Sequence, residues 1–191
     1  MNGTSGAAAI IAKQQAYARH ASLIQDATPL PQEVLEMSLV SCFEQQAVRF
    51  PQHSAVVAAE GMLTYQELNE AANRLAHALL AMDIAVDAPV AILLEQGLDT
   101  VISMLAVLKT GGHFFCLEPT LPMQRARELL NLAATQTLIT TSAFAPYVEK
   151  IAPERNTCFL LDHTAASDLT HNLNIPIAPH QPSTMTFTSG S

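Results

Sequence analysis

Charge is scarce in this 191-residue chain: 14% of its residues are charged, against about 25% in an average soluble domain. That deficit suits strands covered on both faces, or a piece of a larger protein lacking part of its wrapping. Basic residues are scarcer still, 9 against 17 acidic ones, for a formal charge of −8. They are scattered from Lys13 to Arg155, so no cationic stripe exists to follow a nucleic-acid backbone. Nucleic acid is therefore not an expected partner. Cysteine is limited to Cys42, Cys116 and Cys158, an odd number set far apart. With no Cys-x-x-Cys or His-x-x-x-His spacing, neither a zinc site nor a disulfide framework is expected. Cys116 and Cys158 lie inside apolar runs and are expected to be small buried hydrophobes; a reducing, cytoplasmic setting is the matching expectation. No apolar run reaches the ~18 residues of a membrane span. Ala7 to Ala12 is too short for a signal peptide and has no basic stretch before it, although the lack of acids before Asp26 leaves a transit peptide as an alternative.

Hydrophobic residues, by contrast, make up 49% of the chain, enough for a substantial core. Their spacing sets out an order. Residues 1–37 read as a flexible extension or linker, with a weak helix over Ala7 to Gln25 and breaks at Pro29 and Pro31. From Ser38 onward the pattern is regular. Leu39, Cys42, Phe43, Gln46 and Ala47 fall at helical spacing, and Arg49-Phe50-Pro51 closes that run. Ser54 to Ala59 and Met62 to Thr64 read as two strands joined by the Glu60-Gly61 reversal, an antiparallel hairpin.

Thr64-Tyr65-Gln66-Glu67 is a capping box. The helix it opens carries Leu68, Ala72, Leu75, Leu79 and Met82 on one stripe, with Asn69, Glu70, Asn73, Arg74 and His77 elsewhere. Each buried leucine is worth about 1.5–3 kcal/mol, so the stripe must cover something, and a sheet is the expected partner. Val90 to Leu94 is an uninterrupted apolar strand of the parallel-sheet kind. Gly97 to Lys109 is a helix with Val101, Met104, Leu105 and Leu108 aligned, ended by Gly111-Gly112. His113 to Leu117 is a strand. Pro122 opens a helix at its first position, with Ala126, Leu129, Leu130 and Ala133 inward. Thr137 to Thr140 and Cys158 to Leu161 are strands flanking a short helix, Ala143 to Lys150. Asp168 to Ser183 is loop-like, and Thr184 to Thr188 is the last strand. Alternating helices and apolar strands predict an α/β fold: a mostly parallel sheet with helices on both faces, plus the early antiparallel hairpin.

Three stretches then carry a resemblance. Leu63-Thr64-Tyr65-Gln66-Glu67-Leu68 is similar to the first core motif of the adenylation domains of nonribosomal peptide synthetases. Leu108-Lys109-Thr110-Gly111-Gly112-His113-Phe114-Phe115-Cys116-Leu117-Glu118-Pro119, followed by Leu121-Pro122, resembles their second, with Glu118 where the family usually has Asp. Phe187-Thr188-Ser189-Gly190-Ser191 matches the opening of their phosphate-binding loop. Asn73-Arg74-Leu75-Ala76 and Phe43-Glu44-Gln45-Gln46-Ala47 are also similar, so residues 38–191 are identified as the N-terminal part of an adenylate-forming, AMP-binding domain that stops within that loop.

The resemblance implies ATP with Mg2+ as cofactors, a small carboxylate (an amino acid) as substrate, and a phosphopantetheine-bearing carrier-protein domain as acceptor. It points to Thr188, Ser189, Gly190 and Ser191 as the nucleotide-binding residues, offering hydroxyls and an uncovered backbone to a phosphate. No catalytic or metal-ligating residue is assigned. The family's loop continues with Thr-Gly and Pro-Lys-Gly, which this sequence does not contain, nor does it contain the later motifs. The nearest lysine or arginine in sequence to Ser189 is Arg155. The chain by itself is therefore expected to be inactive. An acyl-CoA or fatty-acyl-AMP ligase, and a non-catalytic interaction module, stand as alternatives. A dehydrogenase is disfavoured, because Gly111-Gly112 follows a helix rather than a strand. Glu67 is accounted for by its cap, His113 reads as structural, and His163, His171 and His180 decorate a loop at no metal-ligand spacing.

Overall fold

The computed structural model describes residues 31–82, 87–152, 157–163 and 167–187. The expected helix over Ala7 to Gln25 lies outside them. The chain separates into two units, Met1–Leu35 and Glu36–Ser191. The described part of the first holds one helical turn, α1 (Gln32–Leu35).

The second unit begins with α2 (Leu39–Arg49), whose first turn is capped by the Ser38 hydroxyl accepting from the Ser41 N–H. The hairpin follows as β1 (Ser54–Ala58) and β2 (Gly61–Thr64), antiparallel, with Gly61 taking a positive φ of 158° at the reversal. The capping box then launches α3 (Tyr65–Ala81): the Glu67 N–H donates to the Thr64 hydroxyl at 3.2 Å, and the Thr64 N–H donates to the Glu67 carboxylate at 2.8 Å. Three βα repeats come next: β3 (Pro89–Ile92), α4 (Leu98–Lys109), β4 (His113–Cys116), α5 (Met123–Leu132), β5 (Thr137–Thr140), a 3-10 turn at Ser142–Phe144, α6 (Ala145–Ile151) and β6 (Thr157–Leu160).

The four later strands make one parallel sheet in the order β4-β3-β5-β6. Side chains alternate across it, as strand geometry requires. Val90, Ile92, Ile139 and Phe159 face α3 and α4, where Leu75, Leu79, Ala106 and Val107 cover them. Ala91, Leu93, Phe115 and Leu138 face α5 and α6, meeting Ala126, Leu129, Leu130, Val148 and Ile151. A third apolar cluster, Leu68, Ala72 and Leu105 with Phe43, Val56 and Leu63 against it, seats the hairpin and α2 on α3 and α4. The parallel sheet, its two helical layers and the antiparallel hairpin are those expected from the sequence.

Several details differ. On α2 the buried positions are Val40 and Ala47, while Leu39 is 60% exposed; the cap at Ser38 sets the helix phase so that Leu39 turns outward. Met82 is also partly exposed, because α3 ends at Ala81. Pro122 occupies the N-cap of α5 rather than its first helical position. Asn73, grouped with the outward residues of α3, is fully buried, because a later segment of chain lies across it. Cys116 and Cys158 are exposed, not buried. They stand on β4 and β6, the two outer strands, where the helical cover ends.

The end of α4 is fully specified by its sequence. The Gly112 N–H donates to Val107 O at 3.2 Å and the Gly111 N–H to Leu108 O at 3.0 Å, the paired bonds of a Schellman motif. Gly111 sits at φ 79°, a conformation that side chains with a Cβ disfavour.

Candidate functional site

In an open α/β sheet, ligands gather at the carboxyl ends of the strands. Here that edge is made by Leu94-Glu95 after β3, Thr141 after β5 and Leu161-Asp162 after β6. Two adjoining depressions occupy it, of ≈ 270 and ≈ 290 Å³, sharing Asp99 and Thr141 as lining residues. Their charged lining comes from Glu60, Glu95, Asp99, Asp162 and Arg74. Two of the carboxylates are already engaged. Glu60, in the hairpin turn, accepts the Leu98 N–H at 2.6 Å and so caps α4; that bond holds its carboxyl below the usual range. Asp162 accepts the Ser142 hydroxyl and the Ser142 N–H, which together lower its pKa. An edge with four acids and one arginine does not fit a triphosphate. Among the described residues, no group of three or more His, Cys, Asp or Glu is arranged to hold a metal ion.

A later segment of the chain runs toward this edge. After β6 it crosses α3 and α4 as an extended loop, then joins β4. The Phe114 N–H donates to Ser183 O at 3.2 Å and the Met185 N–H donates to Phe114 O at 2.8 Å, a parallel bridge between Phe114 and Thr184. The expected strand Thr184 to Thr188 is thus begun as a single bridge over its described part. Met185 and Phe187 pack on the core facing α5 and α6. The Phe187 ring meets Phe115 edge-on at 5.4 Å. Running parallel to β4, the segment heads toward the carboxyl ends of the strands. The four residues expected to bind nucleotide, Thr188, Ser189, Gly190 and Ser191, lie outside the described residues.

A polar cluster that sequence reasoning missed sits where α2, α3, α4 and the returning loop meet. Lys109 Nζ is hydrogen-bonded and ion-paired to Glu44, with the lysine side chain 1% exposed. Desolvation pulls the Lys109 pKa below that of a free lysine, against the opposing pull of Glu44. Asn172 Oδ1 accepts from Asn69 Nδ2 at 3.0 Å, from Asn73 Nδ2 at 2.9 Å and, more distantly, from Lys109 Nζ at 3.5 Å. Asn73 Nδ2 also donates to Thr170 O at 2.6 Å. One signal was available: Lys109 follows directly on the apolar stripe of α4. At a helix C-terminus, however, a lysine is already explained by the macrodipole. Of the expected bystanders, Glu67 is engaged in its cap. His113 lies 3.8 Å from Asp87, and the His171 ring rests against His77 with centroids 4.6 Å apart.

These features define an α/β protein whose parallel sheet carries a returning chain segment along its β4 edge. The chain belongs to the AMP-binding enzyme family, whose model matches residues 43–191. It is 36% identical over 159 residues to phosphinothricin tripeptide synthetase PhsC of Streptomyces viridochromogenes, an alignment covering 81% of this chain and 14% of that protein. It is 31% identical over 179 residues to tyrocidine synthase 1 of Brevibacillus parabrevis, covering 91% of this chain and 16% of that one. Among solved structures, the nonribosomal peptide synthetase FmoA3 bound to α-methyl-L-serine-AMP superposes with a TM-score of 0.72 at 27% identity, over 86% of this chain and 18% of its own. Its AMPPNP-bound form superposes equally well, at 28% identity. The chain thus spans less than a fifth of the length of each of these proteins. Within the fold, it corresponds to the N-terminal part of an adenylation domain. Among the described residues, no helix is long and apolar enough to cross a membrane.

Proposed function

We propose that this chain is the opening portion of an amino-acid-activating adenylation domain that works in the cytoplasm, with residues 1–37 as its lead-in and 38–191 as the partial domain. The reaction joins an amino-acid carboxylate to the α-phosphate of ATP, releasing pyrophosphate. The aminoacyl group then passes to the thiol of a phosphopantetheine carrier domain, and AMP leaves. The observation that carries this reading is the parallel path of Ser183 to Phe187 along β4. It supports Thr188, Ser189, Gly190 and Ser191 as the residues that turn hydroxyls and backbone N–H groups toward the phosphates. The described residues at the sheet's carboxyl edge are mostly acidic, which does not suit the triphosphate, and among the described residues no group of three or more carboxylates is arranged to hold Mg2+, so no chemical step is assigned to them.

The isolated chain has no cation next to this segment in sequence, and it is expected to give no ATP–pyrophosphate exchange with any amino acid. The reading is tested by replacing the matched stretch of tyrocidine synthase 1 with residues 43–191. Exchange within about tenfold of the parent, a barrier change of roughly 1.4 kcal/mol, is the expected result. A folded graft without exchange would overturn the assignment, and robust exchange by the isolated chain would overturn its inactivity.

A further inference from the structure

We infer that the stretch Lys109 to Phe114 is a rail for the returning chain, with Asn172 as the positioning residue that locks the chain to it. Three successive points on that short stretch each hold a later one. Lys109 meets Asn172. Gly111 O accepts from Gln181 Nε2. Phe114 then exchanges backbone bonds with Ser183 and Met185. The two stretches therefore advance together, and the last contact fixes the direction in which Phe187 is delivered.

Asn172 is the point where this alignment is set. Its one carboxamide oxygen faces donors from two helices, Asn69 and Asn73 on α3 and Lys109 on α4. Asn73 and Lys109 are buried, and a buried donor deprived of its acceptor is costly. The Asn73 carboxamide also holds the neighbouring Thr170 carbonyl, so two positions of the loop are fixed by one buried side chain. A shift of the loop by a single residue would remove Asn172 Oδ1 from all three donors at once. The Schellman turn adds rigidity, because Gly111 and Gly112 hold the rail's bend while Gln181 docks on it. That the rail aims a phosphate-binding segment rests on the function proposed above; that it holds the returning chain does not.

The test is amide hydrogen exchange on the full 191-residue chain carrying Asn172→Leu, Gln181→Ala or Asn172→Asp. Asn172→Leu keeps the branched shape of the side chain and removes the acceptor. It is expected to speed exchange of the Met185 amide at least about tenfold by local opening, with the sheet amide of Leu93 unchanged. Gln181→Ala, one contact further on, is expected to act in the same direction. Asn172→Asp keeps an acceptor and is expected to preserve protection. Unchanged Met185 protection in Asn172→Leu would overturn the inference, as would Met185 and Leu93 losing protection together, which would mark a merely structural residue. In the tyrocidine synthase 1 graft, Asn172→Leu is expected to raise the KM for ATP more than it lowers kcat. A wild-type graft without exchange would remove the functional reading and leave the hydrogen-exchange result to decide the rail.

Discussion

Lys109, in the last turn of α4, is hydrogen-bonded to Glu44 on α2, and the two side chains are exposed by only 1% and 21%. The partners are unequally placed, so their removal is unequal too. Glu44→Ala leaves a lysine charge buried beside Phe43, whose ring it approaches at 6.0 Å. Breaking a buried pair from one side costs about 3–5 kcal/mol, and the partial exposure of Glu44 places this case near 3. Lys109→Met removes the buried charge and leaves Glu44 able to turn toward water, at a cost of about 1 kcal/mol. Asn172 still keeps its two asparagine donors in that variant. Urea unfolding of the two variants checks the order, and a larger loss for Lys109→Met would refute it.

Gly97 and Glu60 are coupled through the start of α4. A Cβ on Gly97 would lie 2.2 Å from Glu60 Oε1, the oxygen that accepts the Leu98 N–H. Gly97→Ala must therefore displace the carboxylate and lose the cap with it. Both Gly97→Ala and Glu60→Ala are expected to lower the melting temperature, with the double variant no worse than the weaker single one. Additive losses would show that the two do not act through one bond.

Gly111 differs from Gly97 in that its backbone sits at φ 79°. Gly111→Ala forces an L-residue into the left-handed region, for about 1–2 kcal/mol. Denaturant midpoints will show this directly. An unchanged midpoint with an unchanged slope would mean that the turn relaxes and the Schellman bonds are dispensable.

Acid sensitivity follows from the capping box. The Thr64 N–H, then its hydroxyl, hold the Glu67 carboxyl below its ordinary 4.5. A carboxyl whose folded pKa is depressed stabilises the fold above its unfolded value, and that contribution disappears as pH falls through the folded one. The stability gap between wild type and Glu67→Gln is therefore expected to be open at about pH 7 and to close below about pH 4. Chemical denaturation across that range measures it; a gap independent of pH would refute the role of the ionised carboxylate.

Local chemistry was the legible part of this sequence. The Thr64–Glu67 box and the Gly111-Gly112 stop each depend on residues within a few positions, and both form as their side-chain chemistry dictates. The uninterrupted apolar run Val90 to Leu94 likewise marked a strand covered on both faces, and its side chains pack alternately into the two helical layers. Burial by a distant segment was not legible. Asn73 has the spacing of an outward residue, and only the arrival of Thr170 and Asn172, about a hundred positions later, covers it. Lys109 was hidden for the same reason, its partners lying on α2 and the returning loop. Of the candidate site, the approach through Met185 and Phe187 was legible as a strand, of which the described residues form a single bridge to β4. Thr188 to Ser191 rest on the motif they resemble.

The cysteines test the edges of the sheet. Apolar neighbours in sequence suggested burial for Cys116 and Cys158, yet both are exposed on the outer strands. Exposure alone would make them reactive, but the protein around each still desolvates the thiolate and raises its pKa above the ordinary 9.0. Reactivity follows the thiolate fraction as well as access. Both thiols are therefore expected to be alkylated by iodoacetamide in the folded chain, without denaturant, and more slowly than a small-molecule thiol at neutral pH. Raising the pH past 9 should speed both. Peptide mapping of the alkylated chain by mass spectrometry assigns the sites. If Cys116 and Cys158 react only after unfolding, then the protein around them covers their thiols more fully than their exposure on β4 and β6 implies.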